Sequence, residues 1–204
     1  MIIDVSKHNG KIDWAKAEAA GVEAVIIRAG YGRIMSQKDP CFEDNYKCAK
    51  ENGIKVGAYW YSYATTPEDA EKEAKICMKV IKCKTFDYPI YFDIEERRHL
   101  SLDKQVCSDI VTAFCTALER EKYFAGVYSF DSFFETNLNE DITKRFAAWV
   151  ANVSANAPKF AKNYGMWQYS WKGKVDGING DVDLNKAYKD YPAIIAKAKL
   201  NGFY

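Results

Sequence analysis

The most constraining feature of the chain is a regular alternation between short apolar segments and longer segments with helical character. The apolar segments, which are typical of buried strands, occur at 2–6, 22–32, 54–64, 88–99 and 125–130. Helical segments occur between them at 12–21, 42–53, 66–83 and 101–122. Three more strand-like segments, 145–153, 164–171 and 180–185, follow with little helix between them. The chain is therefore predicted to contain five strand–helix units followed by three strands.

This order of elements predicts the fold class. Strands that alternate with helices pair in parallel within one sheet. Eight such strands predict an α/β barrel that becomes irregular in its last part, and 204 residues suit a single domain spanning 1–204. An open, doubly wound sheet is the competing architecture. It would need covering helices between its last strands, where the sequence has scarcely room for them.

Local signals mark several helix ends. Gly21 follows the first helix, at the position where a left-handed residue ends many helices. Thr66 precedes Pro67 and two acidic residues, which predicts an N-cap followed by a first helical turn. Ser101 is predicted to cap the helix that follows it.

The charge and the cysteine content of the chain restrict the classes of function that it can have. The chain has 29 basic and 28 acidic residues, and a net charge of +1 supports neither nucleic-acid binding nor capture by a membrane surface. Six cysteines form no C-x-x-C pair, and the two histidines, His8 and His99, are predicted to be surface or loop residues. The N-terminal segment lacks the pattern of a signal peptide, and no run of about 18 apolar residues occurs. We therefore expect a reduced protein that is made in the cytoplasm and has no membrane-spanning helix.

Reactive side chains gather where the strands are predicted to end. In barrels of this kind the chemistry takes place at the carboxyl ends of the strands. These ends carry Asp4, Arg28, Tyr59, Tyr61, Asp93, Glu95, Tyr128, Trp149, Gln168 and Asp183. A single acid there is most simply a helix cap or one partner of an ion pair, but chance rarely places four acids only at strand ends. We therefore expect the four acids to form one site among aromatic residues.

The segment YPIYFDIEERRH, at 88–99, indicates what such a site could do. Asp93 and Glu95 are separated by one residue, so a strand points both carboxyl groups to the same face. Neighbouring negative charges raise the pKa of one acid, which then holds a proton near neutrality while the others stay ionised. Hydrolysis of a glycosidic bond needs a protonated acid for the leaving oxygen and a carboxylate for the positive charge at the sugar carbon. The spacing of Asp93 and Glu95 does not distinguish hydrolysis that retains the configuration at the sugar carbon from hydrolysis that inverts it.

Two other functions would use the same acids. Carboxylate oxygens at a barrel rim would also suit Mg²⁺ or Ca²⁺ in a metal-dependent hydrolase such as a phosphodiesterase, although the chain has few histidines and no phosphate-binding loop. A non-catalytic glycan-binding module is the third alternative. Binding alone, however, gains little from four desolvated carboxylates.

Motifs in a fixed order along nearly the whole chain resemble glycoside hydrolase family 25, the N-acetylmuramidases also called Chalaropsis-type lysozymes. They are D-V-S and N-G-x-I-D-W at 4–14, VIIRAGYG at 25–32, D-P-x-F-x-x-N at 39–45, VGAYWYSYA at 56–64, the D-x-E strand, GVYS at 126–129, MWQYS at 166–170 and VDLN at 182–185. Two departures affect the groove. Trp60 and Tyr61 stand where many relatives carry His-Phe, and Arg28 stands where many carry Lys.

The resemblance implies a single-domain (β/α)5(β)3 barrel and cleavage of the β-1,4 bond between N-acetylmuramic acid and N-acetylglucosamine in bacterial peptidoglycan. It implies Glu95 as general acid/base and Asp93 as its neighbour, which either orients the acetamido group of the substrate or stabilises the oxocarbenium-like state. Asp4 and Asp183 match the two remaining rim acids. The groove-lining positions it implies are Arg28, Tyr59, Tyr61, Tyr128, Trp149 and Gln168.

The same resemblance sets the expected partners. The substrate is bacterial cell-wall peptidoglycan, no cofactor or metal is expected, and the domain is expected to act as a monomer, either alone or in a longer chain with a wall-binding module. A phage or prophage endolysin, released through a membrane pore, would need no leader sequence. A fragment of a secreted autolysin is the alternative.

Overall fold

Eight β-strands close into a barrel in the order in which they occur in the chain. The structure is a computed structural model, and it describes residues 1–154, 156–159, 161 and 163–203. The strands are Ile2–Val5 (β1), Ala24–Tyr31 (β2), Lys55–Tyr61 (β3), Ile90–Asp93 (β4), Ala125–Phe130 (β5), Ala147–Ala151 (β6), Tyr164–Gly173 (β7) and Val182–Ala187 (β8). Strands β1 to β7 pair in parallel, whereas β8 is antiparallel to both β7 and β1. The α/β barrel is confirmed, and the open doubly wound sheet is wrong because β8 closes onto β1.

Helices follow each of the first five strands. The described residues form the α-helices Trp14–Ala19 (α1), Phe42–Glu51 (α2), Pro67–Ile81 (α3), Lys104–Arg120 (α4), Asp131–Thr136 (α5), Glu140–Arg145 (α6) and Tyr191–Ala198 (α7). The sequence did not predict α5, α6 or α7. Six residues, the length of α5 and of α6, make less than two helical turns and leave almost no periodic signal.

One predicted cap is confirmed and one is wrong. The hydroxyl of Thr66 accepts the backbone N–H of the third helical residue of α3, and Pro67 is the first residue of that helix. Ser101 does not cap α4, because it ends a short 3₁₀ helix and its hydroxyl donates back to the chain three residues earlier. The cap of α4 is Asp103, whose carboxylate accepts the N–H of Gln105 at 2.8 Å.

The inside of the barrel is filled by large aromatic side chains that lie opposite glycines. The Trp149 ring centroid lies 5.1 Å from that of Tyr91 and 4.5 Å from that of Tyr128. A Cβ atom added at Gly126 would lie 2.5 Å from Cδ1 of Tyr91, so the glycine is what makes room for that ring. Alternating small and large residues in this way fill a small barrel without leaving a pore.

Helix α7 packs beneath the end of the barrel where the parallel strands begin. Its Tyr191 and Ile195 are fully buried. The Tyr191 ring lies 5.9 Å from Tyr88, which precedes β4, and 6.1 Å from Phe124, which precedes β5. The opposite end, formed by the carboxyl ends of the parallel strands, remains for a functional site.

The predictions for the histidines and cysteines have different outcomes. His8 is exposed, but His99 is fully buried, so its prediction as a surface or loop residue is wrong in its exposure. Its Nε2 lies 2.9 Å from the Ala64 carbonyl oxygen, and burial lowers its pKa. All six cysteines are free thiols.

Within the described ranges no helix combines the length and apolar character needed to cross a membrane.

Candidate active site

The four predicted acids lie together at the carboxyl rim of the barrel. Asp93 is the last residue of β4, Glu95 follows it by two positions, and Asp4 lies near the end of β1. Asp183 reaches the same rim differently from the prediction. It is the second residue of β8 and not near its end, and because β8 is antiparallel its beginning lies beside the end of β1, directly opposite Asp4.

The acids differ in depth. Asp93 and Asp4 are 3% and 7% exposed, whereas Glu95 and Asp183 are half-buried. Ile94 lies between the two acids of the D-I-E motif and is fully buried, and its N–H donates to the Tyr128 carbonyl oxygen at 3.0 Å. This bond extends the strand pairing by one residue, so Asp93 and Glu95 belong to the same face.

Burial raises the pKa of all four acids, and for Asp4, Asp93 and Glu95 the charge of another of the four adds to it. Burial and then the charge of Asp183 raise the pKa of Asp4 to about 8. Burial, followed by the charges of Glu95 and Asp4, raises the pKa of Asp93 well above its ordinary value. Burial, followed by Asp183, raises the pKa of Glu95 to about 7. Asp183 itself reaches about 6, mainly because of burial.

This pattern refines the expectation of one protonated acid among ionised neighbours. Asp4 retains its proton near neutrality and the pKa of the equally deep Asp93 is raised well above its ordinary value, while the outer pair, Glu95 and Asp183, titrates close to neutrality. The sequence argument considered charge repulsion alone. Desolvation is the larger cause for every one of the four.

A directed hydrogen-bond network holds Asp4, one of the two buried acids. Oδ2 of Asp4 accepts the side-chain N–H of Gln168 at 2.9 Å and that of Asn185 at 2.8 Å. Oδ1 of Asn185 in turn accepts the indole N–H of Trp149 at 2.7 Å. These groups are buried, so each bond is formed without competition from bulk water.

The network continues to the surface through Gln168. Its Oε1 accepts the hydroxyl of Tyr128 and the indole N–H of Trp171, both at 2.8 Å. Tyr128 and Gln168 are buried, but Trp171 is 44% exposed. An exposed indole is therefore connected through one amide to an acid of the cluster.

Arg28 is held mainly by another carboxylate. Its Nε lies 2.7 Å from Oδ2 of Asp39, which is 1% exposed in its side chain and also accepts the backbone N–H groups of Lys7 and Cys41. The positive charge of Arg28 lowers the pKa of Asp93, so the guanidinium also faces the acid cluster. Arg28 thus connects this buried ion pair to the floor of the site.

The aromatic residues of β3 line the rim. Tyr59 and Tyr61 are half-buried and lie two positions apart, on the same face of the strand. The hydroxyl of Tyr61 donates to Oε1 of Glu96 at 3.0 Å, and its ring packs edge-on against Tyr63 with centroids 5.5 Å apart. These rings offer flat surfaces beside the acids.

Three of the predicted groove residues, Tyr128, Trp149 and Gln168, are buried beneath the rim and do not line an open groove. Trp149 is 1% exposed, because it packs among other rings, and it supports the site from below. The sequence analysis missed Asn185 and Trp171. Asn185 had a signal, since it lies two positions from Asp183 in VDLN and therefore on the same face of a strand. Trp171 had none, because the pairing of β7 with β8 shifts register between Gln168 and Ser170 and again after Ser170.

Across the part of the chain that the structure describes, no group of three or more His, Cys, Asp or Glu side chains is arranged so that it could hold a metal ion. The metal-dependent alternative gains no support from a preformed ligand set in those residues.

Comparisons with known proteins agree on one family. The family model described as glycosyl hydrolases family 25 matches residues 3–178. The autolytic lysozyme of Clostridium acetobutylicum is 31% identical over 184 residues, which cover 90% of this chain and 54% of that protein. The solved structure of the modular autolysin LytC from Streptococcus pneumoniae has a TM-score of 0.80 and 34% identity, covering 90% of this chain and 45% of that one. The CTP1L endolysin structure has a TM-score of 0.82 and 27% identity, with coverages of 96% and 69%. The chain thus spans about half the length of the first two proteins.

Proposed function

The chain belongs to the glycosyl hydrolases of family 25, and from this premise we propose that it is a peptidoglycan hydrolase of the lysozyme type. The proposed reaction is cleavage of the β-1,4 bond between N-acetylmuramic acid and N-acetylglucosamine, without a cofactor. The protein would act on the bacterial cell wall as an endolysin or an autolysin. We also propose that residues 1–204 form one catalytic domain that acts as a monomer, either alone or in a longer chain with a wall-binding module.

Glu95 is proposed as the general acid and base. The observation that carries this role is its combination of partial exposure with a pKa raised to about 7. A carboxyl group with this pKa is protonated in a large fraction of molecules at neutral pH, yet gives up its proton readily to a leaving oxygen. General acids are most effective when their pKa lies near the working pH.

Asp93 is proposed as the neighbour that orients the substrate. It lies deeper than Glu95, its pKa is raised well above the ordinary value, and its Oδ1 is buried without a hydrogen-bond partner among the described residues. A neutral carboxyl group can position an acetamido group by hydrogen bonding, whereas stabilising a positive charge requires an anion. The depth of Asp93 therefore favours the orienting role over direct stabilisation of an oxocarbenium-like state.

The remaining residues are proposed to build the groove and its floor. Tyr59, Tyr61 and the exposed Trp171 offer aromatic faces on which pyranose rings can lie. Tyr128 and Gln168 support them from below, and Arg28 contributes positive charge beneath Asp93. Asp183 provides negative charge close to Glu95.

Digestion of purified peptidoglycan, followed by mass spectrometry of the products, tests this proposal. We expect products with N-acetylmuramic acid at the reducing end, and an activity that EDTA does not remove. Glu95→Gln should lower the rate by about 10²–10⁴-fold, the usual contribution of a general acid. Glu140→Gln is the matched control, because Glu140 is an exposed acid at the start of α6 that pairs with Lys144 outside the acid cluster. Near-wild-type activity of Glu95→Gln, or a different reducing-end sugar, would contradict the assignment.

A further inference from the structure

We propose that Asp4 is a positioning residue that acts as a neutral carboxylic acid, donating its proton in a hydrogen bond to Asp183. Asp183 is then the only anion of this pair, and its single charge is the one that faces Glu95. The catalytic consequence of this arrangement rests on the proposed function. The location of the proton itself does not, because it follows from the hydrogen-bond network.

Hydrogen-bond partners fix the orientation of two amide side chains. An indole N–H can only donate a hydrogen bond. The group of Asn185 that faces Trp149 must therefore be its oxygen, and the group that faces Asp4 must be its NH₂. The same argument applies to Gln168, whose oxygen faces the indole N–H of Trp171 and whose NH₂ faces Asp4. Both orientations are set by chemistry.

Both amides reach the same oxygen of Asp4. Oδ2 accepts two N–H groups, at 2.8 Å and 2.9 Å, so it is an acceptor and carries no proton. Any proton on Asp4 must therefore be on Oδ1. A carboxylic acid whose carbonyl oxygen accepts both amides and whose O–H donates elsewhere has all its principal hydrogen bonds satisfied.

Asp4 and Asp183 are placed to share a proton. The two residues lie directly opposite each other in the antiparallel pairing of β1 with β8, so their side chains share one face and their carboxyl groups are close enough for a hydrogen bond. Two carboxylate ions have no hydrogen to share, and like charges directly opposite each other destabilise a sheet. A proton on one member of the pair removes this repulsion and supplies the hydrogen for a bond between the two groups.

The depth of the two residues decides which one holds the proton. Asp4 is 7% exposed, whereas Asp183 is half-buried and better hydrated. The charge therefore belongs on Asp183 and the proton on Asp4, in agreement with the higher pKa of Asp4. The titratable groups that face Asp4 are those of Asp183, Asp93, Tyr59 and Tyr128, and those that face Asp183 are Asp4, Asp181, Glu95 and Tyr128.

Asp4→Asn tests the proposal, because an asparagine reproduces a neutral acid at this position. Its oxygen can accept both amides and its NH₂ can donate to Asp183. We expect Asp4→Asn to keep peptidoglycan cleavage within about tenfold of wild type, with an unchanged basic limb of the pH–rate profile, since no charge near Glu95 is altered. Asp4→Leu, which has a similar size but no hydrogen bonds, should lose far more activity. Equal losses in the two variants would overturn the proposal.

Asp183→Asn provides the contrasting change. Removing the single anion should lower the pKa of Glu95 and move the basic limb of the profile to lower pH. An equal displacement in Asp4→Asn and Asp183→Asn would show that both acids carry charge, which contradicts the proposal.

Two measurements show which carboxyl group holds the proton, and neither needs an activity assay. In wild-type protein, the ¹³C shift of the Asp4 carboxyl carbon, assigned through its own β protons, should remain that of a protonated acid at pH 6. An ionised Asp4 at that pH would overturn the proposal even if the protein cleaves peptidoglycan. Between pH 5 and pH 8 the Tm of Asp4→Asn should rise relative to that of wild type, because only wild type has the Asp4 proton to lose on unfolding there. Parallel Tm curves would contradict the proposal, and absence of cleavage by wild type would contradict the proposed function alone.

Discussion

Trp149→Phe is the substitution that best separates support of the site from support of the fold. Trp149 is fully buried, and its indole N–H donates to Oδ1 of Asn185, whose NH₂ in turn donates to Asp4. Phenylalanine fills much of the same space but donates nothing. Asn185 then keeps an unpaired buried oxygen, and the orientation of its amide is no longer fixed by the indole.

Two costs determine the expected loss of stability. Leaving a buried acceptor unsatisfied costs about 1–3 kcal/mol. Replacing the indole by a smaller ring removes roughly two buried carbon groups, at about 0.8 kcal/mol each. The free energy of unfolding should therefore fall by about 2–5 kcal/mol, which denaturant titration of both proteins can measure.

Trp60→Phe is the matched control. Trp60 is also fully buried and its indole N–H also donates to an oxygen, the Gly32 carbonyl at 3.0 Å, but that bond does not lead to the acid cluster. Both variants should lose similar stability. Only Trp149→Phe should change the pH–rate profile of peptidoglycan cleavage at a temperature where both variants are folded. An equal change in the two profiles, or none in Trp149→Phe, would refute the role of the network.

Three further substitutions test the fold around the site. Arg28→Met should lower the free energy of unfolding by about 3–5 kcal/mol in denaturant titration, because it leaves Asp39 as a buried, unpaired anion. A loss below about 1 kcal/mol would argue against this ion pair. Gly126→Ala should cost about 1–3 kcal/mol by the same method, since the new Cβ meets the ring of Tyr91, and a neutral effect would contradict that contact. Glu73 has a pKa raised to about 7, mainly by burial, so its contribution to the stability of wild type should decline as pH rises from about 4.5 through 7. The fall in Tm between pH 5 and pH 8 should therefore be larger in wild type than in Glu73→Gln, and equal falls in both proteins would show otherwise.

The alternation of elements was sufficient to predict the barrel and the gathering of the acids. Parallel strands connected by helices all end at one rim, so residues far apart in sequence, such as Asp4 and Asp93, had to come close together once the sheet closed. The period of two along a strand likewise placed Asp93 and Glu95 on one face. Both predictions depend only on backbone geometry, which the hydrophobic pattern of the sequence indicates well.

Depth was not predictable in the same way. Trp149 and His99 are both fully buried, although the sequence argument placed one in an open groove and the other at the surface or in a loop. The depth of a side chain depends on what packs above it. For Trp149 these neighbours come from other strands, and for His99 they include the chain after β3, where Ala64 lies. A local pattern contains no information about such neighbours.

The direction of β8 is the element on which the site depends most. Within this strand Asp183 and Asn185 both face inward, and the antiparallel direction places Asp183 at the rim and Asn185 one step deeper, opposite Ile2. In this order the side-chain NH₂ of Asn185 reaches Asp4 from below, while the carboxyl group of Asp183 lies beside that of Asp4. A parallel β8 would reverse the two, placing the amide at the rim and the acid in the barrel interior. The sequence indicated the irregular last part of the barrel only through its missing helices. This part is therefore what brings Asp4 and Asp183 together with the amide that supports them.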